Sequence, residues 1–140
     1  MRKQFRERLA KEYRYAATKM QEARQTPRKL FYFSVLFGEG QRVLNWEWNR
    51  DLALISWVTQ QVHTQLSAQA ALIGVLLPID MATIFEKLTQ VVFDLAAHYE
   101  KAEKPGSSEA LCDILGRLAE IVYAASGNGS YLYERGVLKL

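Results

Sequence analysis

The chain contains one cysteine, Cys112. A lone thiol cannot cross-link a chain to itself, so a disulfide-stapled scaffold is excluded and apolar packing must supply the core. Prolines number three and glycines eight, with no period, which excludes a collagen-like repeat. Histidines are only two, His63 and His98, so few side chains are suited to metal ligation or general-base work near neutral pH. Long apolar runs are also missing. The most apolar window, Ala70 to Ile79, is about half the roughly 20 residues a membrane-spanning helix requires, and Pro78 and Asp80 close it. From Met1 to Arg14 charges recur every few residues, unlike the uninterrupted apolar core of a signal peptide. The expectation is a soluble, cytoplasmic protein with no membrane insertion.

Apolar types make up 49% of the 140 residues and charged types 24%, the balance of an ordinary globular domain. A disordered chain would need lower hydrophobicity and higher net charge. Helical periodicity dominates. Phe5, Leu9, Tyr13, Ala16, Met20 and Ala23 fall at steps of three and four, one stripe of an amphipathic helix from about Arg2 to Arg24. Gln25-Thr26-Pro27 stops it, with Thr26 placed to cap a second helix and Pro27 at a position needing no N–H. The second helix is expected from Pro27 to about Trp46, on Leu30, Phe33, Phe37 and Leu44, with Gly38 and Gly40 inside it. Asn49 or Asp51 begins a third, striped by Leu52, Ile55, Val58, Val62 and Leu66, which ends near Ser67 or continues through the alanines toward Leu77.

Asp80 caps a fourth helix on Ile84, Leu88, Val91, Leu95 and Tyr99, which stops at Lys104-Pro105-Gly106-Ser107-Ser108. Ser107 or Ser108 caps a fifth, on Leu111, Ile114, Leu115, Leu118, Ile121 and Val122, stopped by Gly127-Asn128-Gly129. Tyr131, Leu132, Tyr133, Val137, Leu138 and Leu140 make an apolar tail that packs on the bundle or a neighbouring subunit. The fold class is all-α: a single up-and-down bundle over residues 1–140, of four to five amphipathic helices with a short apolar C-terminal tail.

Chemistry is harder to find. Asp94 and His98 share a side of the fourth helix, but a di-iron bundle needs two Glu-x-x-His motifs plus further glutamates. No metal or cofactor is expected. Gly38-Glu39-Gly40-Gln41 lacks both the preceding strand and the following Lys-Ser/Thr of a phosphate loop. Arg50 precedes His63 by thirteen residues, too far for the Arg-to-His spacing of HEPN ribonucleases. Cys112 reads as a small buried core residue, and Glu100 with Glu103 as a solvated helix end. Phe31, Tyr32, Phe33, Phe37, Trp46, Trp48 and Trp57 form an aromatic concentration. It reads first as core plus a helix or subunit contact, and second as a ligand pocket.

Charge is unevenly distributed. Residues 1–29 carry ten basic and three acidic side chains, +7, whereas the remaining 111 residues carry −4. Arg2, Lys3, Arg6, Arg8, Lys11 and Arg14 are therefore candidates for an anionic partner, nucleic acid included, unless they dock on the acidic remainder of the chain. The leading functional expectation is a non-catalytic bundle acting through protein–protein contact or self-association as a homo-oligomer. The alternative is a small ligand-binding or enzymatic bundle with a pocket near Trp46, Trp48, Asp94 and His98.

Overall fold

The computed structural model describes residues 2–71, 81–101 and 108–126. Their regular structure is entirely helical: α1 (Lys3–Glu22), α2 (Thr26–Phe33), α3 (Val35–Leu44), α4 (Arg50–Ala71), α5 (Met81–Glu100) and α6 (Ser108–Ser126). The apolar stripes are the reason. Leu9, Tyr13, Ala16 and Met20 of α1 are buried, as are Leu52, Ile55, Val58, Val62 and Leu66 of α4. Ile84, Leu88, Val91, Leu95 and Tyr99 of α5 join Leu111, Ile114, Leu115, Leu118 and Ile121 of α6 in the same cluster. Among the described residues no helix is long and apolar enough to cross a membrane.

Helix α1 packs on α5 most extensively and also on α2 and α3, while α4 packs on α3 and α6, and α5 on α6. Side-chain pairs give the running directions. Tyr15 meets Tyr32, Arg8 meets Glu39 and Phe5 meets Trp46, so α2 and α3 run back along α1. Phe33 lies against His63, whereas Gly40 lies against Ser56, so α4 runs antiparallel to that pair.

The expected single helix from Pro27 to Trp46 is two helices that break at Ser34. That residue stays in right-handed geometry (φ −61°, ψ −19°). Its N–H is shared between the carbonyls of Leu30 (3.0 Å) and Phe31 (3.2 Å), and its hydroxyl donates to Phe31 O at 2.6 Å. A serine that back-bonds in this way tightens and bends a helix. The glycines do not cause the break: Gly38 faces open space, and Gly40 provides close approach to α4.

The start of α2 also differs from expectation. Thr26 is already helical, and Gln25 stands at the cap without a side-chain bond. Asn49 does cap α4, its Oδ1 accepting the Leu52 N–H at 2.9 Å. One further expectation is corrected. Cys112 is exposed, because it sits one position past the buried Leu111 and turns away from the core. Glu100 does lie exposed at the end of α5, where its carboxylate takes a two-pronged bond from the Arg14 guanidinium, one arm of which is 2.9 Å. The expected caps Asp80 and Ser107, the window beyond Ala71, Glu103, the Gly127-Asn128-Gly129 stop and the tail lie outside the described residues.

Candidate interaction surface

Helix α3 ends because its backbone tightens at Asn45. The N–H groups of Trp46 and Glu47 both reach back to Val43 O, at 3.0 and 2.9 Å. The chain then needs only Trp48 and the Asn49 cap before α4 begins. This short connection leaves no interior to fill, so its two tryptophans turn outward, 72% exposed at Trp46 and 74% at Trp48. Trp46 leans on Phe5 with ring centroids 6.4 Å apart, and the Arg2 guanidinium lies 5.4 Å from the Phe5 ring. Glu47 accepts the Arg2 backbone N–H at 3.0 Å, which ties the start of α1 to the same corner. That bond is the main reason the Glu47 carboxyl is held below its ordinary range.

Beside Trp48 a groove of about 380 Å³ runs between α3 and α4. Leu44, Trp48 and Trp57 form apolar walls, Gln41, Asn45 and Gln60 supply amides, and Ala53 with Ser56 completes the lining. Among the described residues no ionisable side chain lines it. The Ser56 hydroxyl is buried without a hydrogen-bond partner among the described residues, and Gly40 approaches it so closely that a Cβ there would intrude on its van der Waals shell. On the other side of α3 a smaller groove of about 180 Å³ is bounded by Phe5, Arg8, Arg42, Val43 and Trp46.

The basic residues of α1 are mostly engaged within the chain. Arg2 pairs with Glu47, Lys3 with Glu7, Arg8 with Glu39 at 3.0 Å and Arg14 with Glu100. Arg6 is buried, and Lys11 alone of the six candidates is exposed without a carboxylate partner among the described residues. Glu39, buried on α3, also takes Arg42 at 3.1 Å, so two guanidiniums share its carboxylate. Neither a protein-family model, nor a curated protein, nor a solved structure matches this chain. The site must therefore be read from its own geometry.

The structure does not gather Trp46, Trp48, Asp94 and His98 into one pocket among the described grooves. Asp94 binds the Arg117 guanidinium of α6 and accepts a bond from Gln90 at 3.1 Å. His98 is 6% exposed and meets Tyr99 edge to face at 5.0 Å. Burial pushes its pKa down, assisted by Lys101 and opposed by Asp51. His63, also lowered by burial, sits against Phe33 and Phe37 at 6.4 and 5.4 Å. No cluster of three or more potential metal ligands occurs among the described residues.

Sequence reasoning missed the amide partners of Trp48, which carry no motif. A weak signal was present, since Gln41, Leu44 and Asn45 fall at steps of three and four just before Trp46 and Trp48.

Proposed function

We propose that this protein is a non-catalytic, up-and-down helical bundle that works by self-association through the tryptophan corner between α3 and α4. The observation that carries the reading is the exposure of Trp46 and Trp48 beside a groove whose described lining carries no ionisable side chain. Two large rings left in water represent several hundred Å² of apolar surface by the usual size of an aromatic side chain. Clustered exposed surface of that kind marks an interaction site.

A second copy of this chain is the occupant that fits best. Trp48 projects beside the groove it helps to line, so one patch holds both a knob and a hole. A two-fold interface requires such self-complementarity, with each copy's knob entering the other's hole. Gln41, Asn45 and Gln60 both donate and accept, so each amide can bond its own kind across a two-fold axis. A chain with net charge +3 repels its copies, and the groove beside Trp48, whose described lining carries no ionisable side chain, is a place where that repulsion is small. The alternative of an enzyme built on Asp94 and His98 has less support, because Asp94 is bound to Arg117 and His98 packs on Tyr99.

Sedimentation velocity over a wide concentration range tests the proposal. A reversible dimer is expected, and Trp48→Ser is expected to weaken it by at least tenfold while leaving the helical circular dichroism unchanged. A wild-type chain that stays monomeric at the highest attainable concentration overturns it. So does a dimer indifferent to both Trp48→Ser and Trp46→Ser.

A further inference from the structure

The turn from α1 into α2 carries a second surface, remote in sequence from the tryptophan corner and opposite in character. Residues 19–29 hold four cations, Lys19, Arg24, Arg28 and Lys29, against one carboxylate, Glu22, a local charge of +3. Glu22 is occupied by Lys19 at 3.6 Å, and the Lys29 ammonium donates to Met20 O at 2.7 Å. Arg24 and Arg28 are exposed and have no carboxylate partner among the described residues, unlike Arg2, Arg8 and Arg14. They flank a groove of about 360 Å³ whose remaining wall includes Tyr32. From Tyr32 a row of rings leads outward. Phe31 meets it edge to face at 5.4 Å and Tyr15 at 6.3 Å, and the Lys19 ammonium lies 5.7 Å from the Tyr15 ring. Phe31 is 62% exposed although Leu30 and Phe33, its neighbours in α2, are buried.

We infer that this surface binds single-stranded nucleic acid, with backbone phosphates between Arg24 and Arg28 and bases against Phe31, Tyr32 and Tyr15. Charge complementarity selects a polyanion, since two neighbouring exposed guanidiniums have no carboxylate partner among the described residues. The rings select bases over a bare phosphate. A positively charged groove edged by aromatic faces is how sequence-tolerant single-strand binders work, with stacking supplying what charge alone does not. A duplex hides its base faces and cannot use the rings. An anionic lipid surface fits less well, because the apolar stripes of α1 and α2 are already buried in the core and leave only a short row of rings outside. The inference also relocates the anionic site. It rests on the exit of α1, whereas the first half of that helix has its charge largely neutralised internally.

Fluorescence anisotropy with short labelled oligouridylate and oligothymidylate, at several salt concentrations, tests this. Binding is expected at low salt and should fall as salt rises. Arg24→Gln with Arg28→Gln should weaken it by tenfold or more. It should also lower the slope of log K against log salt by about 1.4, at about 0.7 for each single-strand phosphate contact. Phe31→Ala should weaken binding by about tenfold, within the range of one stacked base, whereas Arg2→Gln with Lys3→Gln should leave it nearly unchanged. All of these positions are exposed, and circular dichroism verifies the fold of each variant. Absence of single-strand binding at low salt overturns the inference, as does binding that survives the Arg24/Arg28 double variant. Preference for a duplex, or co-sedimentation with phosphatidylserine vesicles without oligonucleotide binding, also overturns it.

Discussion

Tyr13 and Tyr99 meet edge to face at 5.9 Å inside the core, and the Tyr13 hydroxyl has only a long bond of 3.4 Å to Leu36 O. Burial drives both phenols well above their ordinary pKa. Tyr99 and Glu39 add to the effect at Tyr13, and Asp51 adds to it at Tyr99. The folded chain therefore retains these protons after the unfolded chain has lost them near pH 10. Stability is complete below that pH and falls above it, by up to about 1.4 kcal/mol per pH unit for each phenol. The histidines act in the opposite direction. Burial lowers the pKa of His63 and His98, so the unfolded chain binds protons first, and stability present above about pH 6.5 is lost as pH falls. Urea denaturation from pH 5 to 11 should show a plateau with two falling edges. Tyr99→Phe should flatten the alkaline edge, and His63→Gln with His98→Gln the acid one. An alkaline edge unchanged in Tyr99→Phe would sink the assignment.

Between elements, the closest approach is where Gly40 of α3 meets Ser56 of α4. Glycine inside a helix costs about 1 kcal/mol against alanine, and the Ser56 hydroxyl that it faces is buried without a partner among the described residues. An added Cβ would collide only with Ser56 Oγ, since Leu52 Cδ1 and Ser56 Cβ lie at ordinary distances of 3.5 and 3.6 Å. Gly40→Ala combined with Ser56→Ala therefore removes both faults and should stabilise the chain by about 1 kcal/mol, read as a rise of a few degrees in Tm. Gly40→Leu should destabilise it, having no such escape. The contrast shows what could be read from residue order. The stripes of α1, α4, α5 and α6 were legible because burial on one side imposes a period of 3.6 on residue type. The break at Ser34 was not, since Phe31 to Phe37 is apolar on every side and a back-bonding hydroxyl leaves no periodic trace. Tryptophan types similarly could not announce that Trp46 and Trp48 face outward, because a short connection, not composition, turns them there.

Across the whole molecule, the basic excess of the N-terminal segment is divided into two parts by what α1 packs against. Arg2, Arg8 and Arg14 neutralise carboxylates supplied by the α3–α4 connection, α3 and α5, and so join those elements. The exit of α1 pairs only Lys19 with Glu22, and leaves Arg24 and Arg28 without a carboxylate among the described residues. Charge concentration was legible in the chain, but its division was not, since Glu39, Glu47 and Glu100 are distant in sequence from the arginines they hold. The division predicts different consequences for cations that look alike on paper. Lys11→Gln should change stability by less than about 0.5 kcal/mol, as an exposed position without a partner does. Arg8→Gln removes one of two guanidiniums from a carboxylate whose side chain is 11% exposed. It should cost about 1 kcal/mol, more than a solvated surface pair and less than a fully buried one because Arg42 remains. Arg6→Gln should cost at least as much, since burial of the residue makes its stem part of the packing. Arg6→Gln, Arg8→Gln and Lys11→Gln combined should therefore unfold the chain at lower urea while keeping any single-strand binding at the α1–α2 turn. If denaturation midpoints instead rank Lys11→Gln with Arg8→Gln, the first half of α1 is merely a solvated face and its contacts with Glu39 contribute nothing.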